Sequence, residues 1–219
     1  MGYLDGLVIA PLNKKSMYIA GSKYADESEM MQDVMNVPLV KIVTKWNKIY
    51  RIQVIDHVRF KDILNDLKTE KIVQAIERLG RTIEFFNPST PRIGVAALNP
   101  HAGEDGKLGD EEAFIIAPAI EESRKFGFSV SGPYPADTIF KRALENQLDG
   151  VTYLYHDQGH IAMKAVAFGE GVLIYSGLPF PVTGPGHGTA YGRAGKGYAD
   201  HKNFSEATKT CIEMISKRL

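Results

Sequence analysis

The chain has 219 residues, room for one large domain or two small ones. Hydrophobic residues make up 44%, and 26 Lys and Arg balance 26 Asp and Glu. That composition excludes global disorder and gives no support to nucleic-acid or acidic-membrane binding. The single cysteine, Cys211, excludes an intrachain disulfide and a cysteine-based zinc site, and it fits a reducing, cytoplasmic setting. No apolar run is long enough to span a bilayer. The start, Met1-Gly2-Tyr3-Leu4-Asp5, lacks the basic and apolar regions of a signal peptide, and Gly6 stands where a myristoylation signal needs Ser or Thr.

In chain order, Leu4–Ala10 reads as a short buried strand ended by Pro11. Ser28–Met35 reads as a helix with Ser28 as its N-cap. Leu39–Thr44 and Tyr50–Ile55 are rich in Val and Ile and flank Lys45-Trp46-Asn47-Lys48, the pattern of a hairpin. Between Phe60 and Phe86, apolar residues recur at helical spacing (Ile63, Leu64, Leu67, Ile72, Ala75, Ile76, Leu79), predicting a short helix and then a long one. Arg92–Ala97 is a buried strand and Asp110–Phe126 a helix. Val151–Tyr155 and Gly171–Tyr175 are further strands, and Phe204–Leu219 is a closing amphipathic helix. Strands alternating with helices predict an α/β fold with a mostly parallel sheet flanked by helices, and ligands of such sheets gather at the carboxyl ends of strands.

Three turns place histidine just past apolar segments. They are Tyr155-His156-Asp157-Gln158-Gly159-His160, Leu98-Asn99-Pro100-His101-Ala102-Gly103-Glu104 and Gly186-His187-Gly188-Thr189-Ala190. Partly buried polar groups are costly, so their concentration at strand ends points to a site. His57, His101 and His156 are the candidate metal ligands, because neutral imidazole suits divalent first-row metals. Their wide separation is weak evidence alone, and a structural role for each competes. His156 and His160 share a face if the turn opens a helix. Lys164, and Lys14 after the first strand, are candidate acid–base groups if a nearby metal lowers their pKa, against the commoner fate of a solvated lysine. The Gly-rich segment from Gly184 to Gly197 is either a flexible surface loop or a loop whose backbone approaches a nucleotide closely. It is neither a GxGxxG turn nor a P-loop.

With these residues assembled, the chain resembles the 4-hydroxythreonine-4-phosphate dehydrogenase family of pyridoxal-phosphate (pyridoxine) biosynthesis. The resemblance runs through Leu7–Lys14, Leu98–Glu104, Gly132–Thr138, Tyr155–Gly159, Gly177–Phe180, His187–Ala190 and Gly195–Gly197. It implies a fold like that of isocitrate and isopropylmalate dehydrogenases, with part of the family's N-terminal domain missing and residues 1–219 forming one α/β unit. It implies an enzyme that oxidises a β-hydroxy acid with NAD or NADP and then decarboxylates the product. A divalent metal (Zn, Mg, Mn or Co) would polarise the hydroxyl and then stabilise the enolate charge. The implied metal ligands are His57, His101 and His156, in a site shared across a homodimer interface. Lys164 would contact substrate or return a proton, with Asp157 and Lys14 as further catalytic candidates. Gly186, His187, Gly188, Thr189, Ala190, Gly195 and Gly197 would meet the adenine side of the cofactor.

On the substrate side the sequence departs from the family. Glu27 and Ser28 replace a His-Thr pair, Leu173 replaces an Asn and Val182 an Arg. Val cannot replace an Arg fork toward phosphate. The departures therefore imply an altered acid substrate, either a phosphorylated sugar acid or a cis-dihydrodiol dicarboxylate, and they lean toward an unphosphorylated one. The alternative is a truncated, catalytically inactive metal-binding or assembly protein.

Overall fold

The computed structural model describes residues 4–218. Met1, Gly2 and Tyr3, at the start of the chain, and Leu219, the last residue of the predicted closing helix, lie outside them.

The elements in chain order are β1 (Leu7–Val8), α1 (Lys14–Ile19), α2 (Glu27–Val34), β2 (Lys41–Trp46), β3 (Ile49–Gln53), α3 (Ile63–Asp66), α4 (Thr69–Phe86) and β4 (Arg92–Ala96). They continue with α5 (Ala117–Ser123), β5 (Ser129–Tyr134), α6 (Ala136–Leu144), β6 (Gly150–Tyr153), α7 (His156–Val166), β7 (Val172–Ser176), β8 (Val182–Pro185) and α8 (Lys202–Ser216). The class is the mixed α/β arrangement expected. The residues divide into two compact units. One holds the described residues up to Trp46 and those from Gly169 onward; the other is Asn47–Phe168.

The Asn47–Phe168 unit carries four parallel strands in the order β3-β6-β4-β5. Strands β3, β4 and β6 are buried almost throughout, as parallel strands covered on both faces must be. Helix α4 supplies one cover. Its Ile72, Ile76, Leu79 and Ile83 are at most 1% exposed and recur at the spacing of one helical face. Gly80 on that face is needed for close approach, since a Cβ there would lie 2.2 Å from the Phe128 ring. Arg92 and Asp149 fasten the far end: the guanidinium donates to the carboxylate at 2.7 and 3.0 Å.

The other unit is not parallel. In the order β1-β8-β7-β2, β1 pairs parallel with β8, while β8–β7 and β7–β2 are antiparallel. The sheet is thus mostly parallel as expected, and the antiparallel pairs gather in this unit, where β7 and β8 are joined by a short Gly-Pro-containing turn that reverses the chain. Strand β1 is also shorter than predicted and is not buried: Leu4 is 72% and Leu7 38% exposed, on a strand with one neighbour. Helix α8 packs on this unit through Ala207, Thr210 and Cys211. The helix cap predicted at Ser28 falls on Asp26 instead, whose carboxylate accepts from the backbone N–H of Ser28 and Glu29 at 3.1 Å. A carboxylate two residues upstream outcompetes the hydroxyl, which itself donates to Asp26. Among the described residues no helix is long and apolar enough to cross a membrane.

Candidate active site

Three neighbouring parallel strands, β3, β6 and β4, end at the same edge, and a candidate histidine follows each: His57 after β3, His156 after β6, His101 after β4. This is the strand edge at which α/β proteins bind ligands. Gln158 ties two of the strand ends together. Its carbonyl accepts from the Leu154 N–H at 2.9 Å, and its amide donates to the Ala97 carbonyl at 2.8 Å.

Helix α7 opens at His156, so His156, His160 and Lys164 fall on one face. The His156 and His160 rings stack with centroids 4.1 Å apart, and the His57 ring lies 5.6 Å from that of His156. His160 is held from behind by the edge of Tyr153, whose hydroxyl accepts from Arg51 at 3.0 Å. Burial, and then its cationic and imidazole neighbours Arg51, His156, Lys164 and His57, pull the His160 imidazole down to about 3. It is therefore neutral at physiological pH and stacks on His156 without repelling it. Burial raises the Tyr153 hydroxyl above its ordinary range, which keeps it a neutral partner for Arg51.

Two of the three histidines, His156 and His101, are prepared in the same way. Nδ1 of His156 lies 2.7 Å from the Asp157 carboxylate, and Nδ1 of His101 lies 2.7 Å from that of Glu104. A carboxylate can only accept, so each Nδ1 carries the proton, and in the neutral ring each Nε2 keeps its lone pair. Carboxylate-oriented imidazoles of this kind are the usual form of histidine metal ligands. The donor chemistry thus fits a divalent first-row metal. Geometry completes only part of a site: among the described residues, no group of three or more His, Cys, Asp or Glu side chains converges to hold a metal ion. His57 and His156 are brought together; His101, 71% exposed, is not gathered with them.

The turn that carries His101 has an unusual backbone. From His101 to Gly106 every φ is positive: +52, +56, +83, +43, +56 and +87. Glycine adopts this region freely, but each of His101, Ala102, Glu104 and Asp105 gives up on the order of 1–2 kcal/mol. Glu112, 6% exposed, sits behind the turn and accepts from the N–H groups of Leu98 and Asn99 at 2.8 Å and from the Asn99 amide at 2.9 Å. Burial pushes the Glu112 carboxyl up, but the donors of Asn99 and Leu98 outweigh it and hold the group below its ordinary value of 4.5. The sign follows directly: ionised Glu112 contributes stability above about pH 4.5, and that contribution is lost as pH falls through its depressed folded value. Melting temperature measured against pH should therefore fall on the acid side, with a shallower fall in Glu112→Gln. Equal acid limbs in the two proteins would contradict this.

The remaining predicted residues lie in the other unit. Lys14, the first residue of α1, is 3.4 Å from Asp26. Glu27 accepts from the buried Tyr175 hydroxyl at 2.9 Å, and burial, then the Glu27 charge, raises that hydroxyl far above its ordinary range. Ser28 is engaged by Asp26, and Leu173 is half-buried in β7. Val182 is fully buried in an apolar cluster with Val40, Tyr175 and Leu178, so it offers no surface to a small molecule. The segment Gly186, His187, Gly188, Thr189, Ala190, Gly195 and Gly197 runs as a largely exposed loop after β8. Gly186 must be glycine, since a Cβ would lie 2.8 Å from the Gly171 carbonyl, and Gly195 and Gly197 have φ of +71. Sequence reasoning missed Arg51, Glu104 and Glu112. Glu104 closes the Leu98–Glu104 turn, but Arg51 and Glu112 look like ordinary strand and helix charges.

The fold and these groups together define an α/β protein with a histidine site at the carboxyl ends of adjacent parallel strands. The family model of pyridoxal phosphate biosynthetic protein PdxA matches residues 1–211. The chain belongs to that family. A protein from Rhizobium meliloti (strain 1021), provisionally named as a 4-hydroxythreonine-4-phosphate dehydrogenase, is 40% identical over 218 residues, covering 99% of this chain and 63% of its own. The D-threonate 4-phosphate dehydrogenase of Salmonella typhimurium is 37% identical over 213 residues, covering 97% and 65%. The crystal structure of 4-hydroxythreonine-4-phosphate dehydrogenase from Klebsiella pneumoniae superposes with a TM-score of 0.85 at 35% identity, covering 97% of this chain and 64% of that one. The chain thus spans a little under two thirds of the length of these relatives.

Proposed function

We propose that this chain works as a homodimeric, metal-dependent, NAD(P)-linked dehydrogenase of a β-hydroxy acid, whose product then loses carbon dioxide. One observation carries the reading. His101 and His156, at the ends of neighbouring strands, both set Nδ1 against a carboxylate at 2.7 Å, which in the neutral ring leaves the Nε2 lone pair for a metal. When bound, a divalent metal (Zn, Mg, Mn or Co) supplies Lewis acidity toward the substrate hydroxyl, and NAD or NADP accepts the hydride. The chain's own residues do the rest. Asp157 and Glu104 hold the tautomers. Lys164, about two turns beyond His156 on the same helix face, steers the substrate carboxylate or returns a proton to the product. Lys14 is the second candidate proton carrier. The glycines of the loop after β8 let the backbone approach the adenine side of the cofactor.

Two histidines together and a third apart favour a site completed by a second copy. Val58, Phe60, Leu64 and Ile161, 40–79% exposed in the same unit as the histidines, offer apolar surface for it. On the substrate side, a Glu27 fixed by Tyr175 brings a carboxylate where a phosphate would need donors, which favours an unphosphorylated acid. The test is a panel of phosphorylated and unphosphorylated β-hydroxy acids with NAD and NADP, metal supplied. Reduced nicotinamide should form with an unphosphorylated acid at lower KM than with its phosphorylated counterpart. Silence across the panel, with metal bound, would count for the inactive alternative.

A further inference from the structure

A left-handed run of six residues needs something to hold it. Strained backbone persists where its surroundings over-determine it. Inside the turn only a few bonds are available, such as Gly106 N–H to Gly103 carbonyl at 2.9 Å and Leu108 N–H to the same carbonyl at 3.1 Å. The stronger hold comes from behind. Both Glu112 oxygens are spent on the residues that lead into the run: Oε1 on the N–H groups of Leu98 and Asn99, Oε2 on the Asn99 amide. The turn also rests directly on this carboxylate, since a Cβ on Gly103 would lie 2.9 Å from Oε2. Glu112 itself is anchored where a π-turn, Glu112–Ile116, leads into α5, whose Ala119 and Ile120 are buried. A carboxylate on a packed helical segment is a rigid clamp; a solvated one would not be.

We propose that Glu112 is the positioning residue of the His101 turn: its buried carboxylate pins the entry to the left-handed run and thereby fixes where Nε2 of His101 points. The use made of Nε2 rests on the metal reading above; the clamp itself does not. Ala102 provides the discriminating probe. It sits inside the run at φ +56 and donates nothing to a ligand. Glycine at this position adopts the left-handed region without steric penalty, so it should compensate for a lost clamp.

The experiment compares the wild-type chain with Glu112→Gln, Ala102→Gly and the double variant, by amide hydrogen exchange and by Co2+ titration. Glu112→Gln should speed exchange across the 99–106 segment while leaving α4 protected, and should weaken Co2+ binding about 10- to 100-fold, as loss of a ligand-orienting group does. Ala102→Gly alone should change neither readout. In the double variant it should restore several-fold of both. Asn99→Ala, which removes one of the three donors to the clamp, should show the same pattern at smaller amplitude and serves if Glu112→Gln does not fold. Unchanged exchange in Glu112→Gln and Asn99→Ala would overturn the proposal. So would faster exchange throughout the unit without recovery by Ala102→Gly, which would make Glu112 a general packing residue. A wild-type chain that binds no Co2+ would defeat the metal reading alone, since the exchange measurements still decide the clamp.

Discussion

Replacing Gly159 by Ala should lower the melting temperature and disturb the histidine site at once. Gly159 lies on the buried face of α7, and a Cβ there would stand 2.5 Å from the Tyr153 ring. That ring cannot swing aside. It is 3% exposed, holds Arg51 through its hydroxyl, and lies against Phe140 and His160. The helix must lift instead, carrying His156 and His160 with it. Overpacking of this kind destabilises by about 1–3 kcal/mol, and each kcal/mol lowers the melting temperature by roughly 2–4 °C in a chain of this size. Thermal unfolding of Gly159→Ala beside the wild type checks this. An unchanged midpoint would mean that α7 does not seat on Tyr153 as described.

The second large effect concerns His156 itself. It is the central one of the three strand-end histidines, adjacent to His57 on one side and locked by Asp157 on its Nδ1. On the proposed metal reading, removing its imidazole takes away a ligand, and removing the carboxylate behind it only frees the ring. His156→Ala should therefore weaken Zn2+ or Co2+ binding by more than about 100-fold, and Asp157→Ala by about 10- to 100-fold. Both positions are substantially exposed, the side chains at 42% and 68%, so neither variant should lose its fold. Equilibrium titration with the metal ion separates the two. Equal affinity in the wild type and His156→Ala would remove this histidine from the site.

Much of this arrangement was legible in the sequence where burial and periodicity coincide. The Val- and Ile-rich runs at β3, β4 and β6, and the apolar stripe of α4, announce themselves because both their faces or one whole face must be covered. The helix opening at His156 made the stacking of His156 on His160 foreseeable. Other elements left no such mark. Helix α1 buries no residue, so it imprints no apolar stripe; helix α2 buries none either and was legible only from its polar start, a residue or two from where it begins. Strand β5 contains Gly132 and Pro133, residue types that strand interiors disfavour, so no strand pattern stands out there. The reversal of β7 and β8 is set by a short connection, and alternation alone does not tell parallel from antiparallel. Left-handed backbone at His101, Ala102, Glu104 and Asp105 is invisible because these residues carry no preference strong enough to reveal it. The inward turn of Val182 is a matter of which face of β8 meets the core, and all four residues of that strand are buried.

The most direct measurement is formation of reduced nicotinamide from a β-hydroxy acid by the purified chain, with divalent metal supplied and again after its removal by chelation. Formation with metal, its loss on chelation and its absence in a His101→Ala, His156→Ala double variant are the results predicted. Equal formation with and without metal, or in the double variant, would contradict a metal-dependent dehydrogenase built on these histidines.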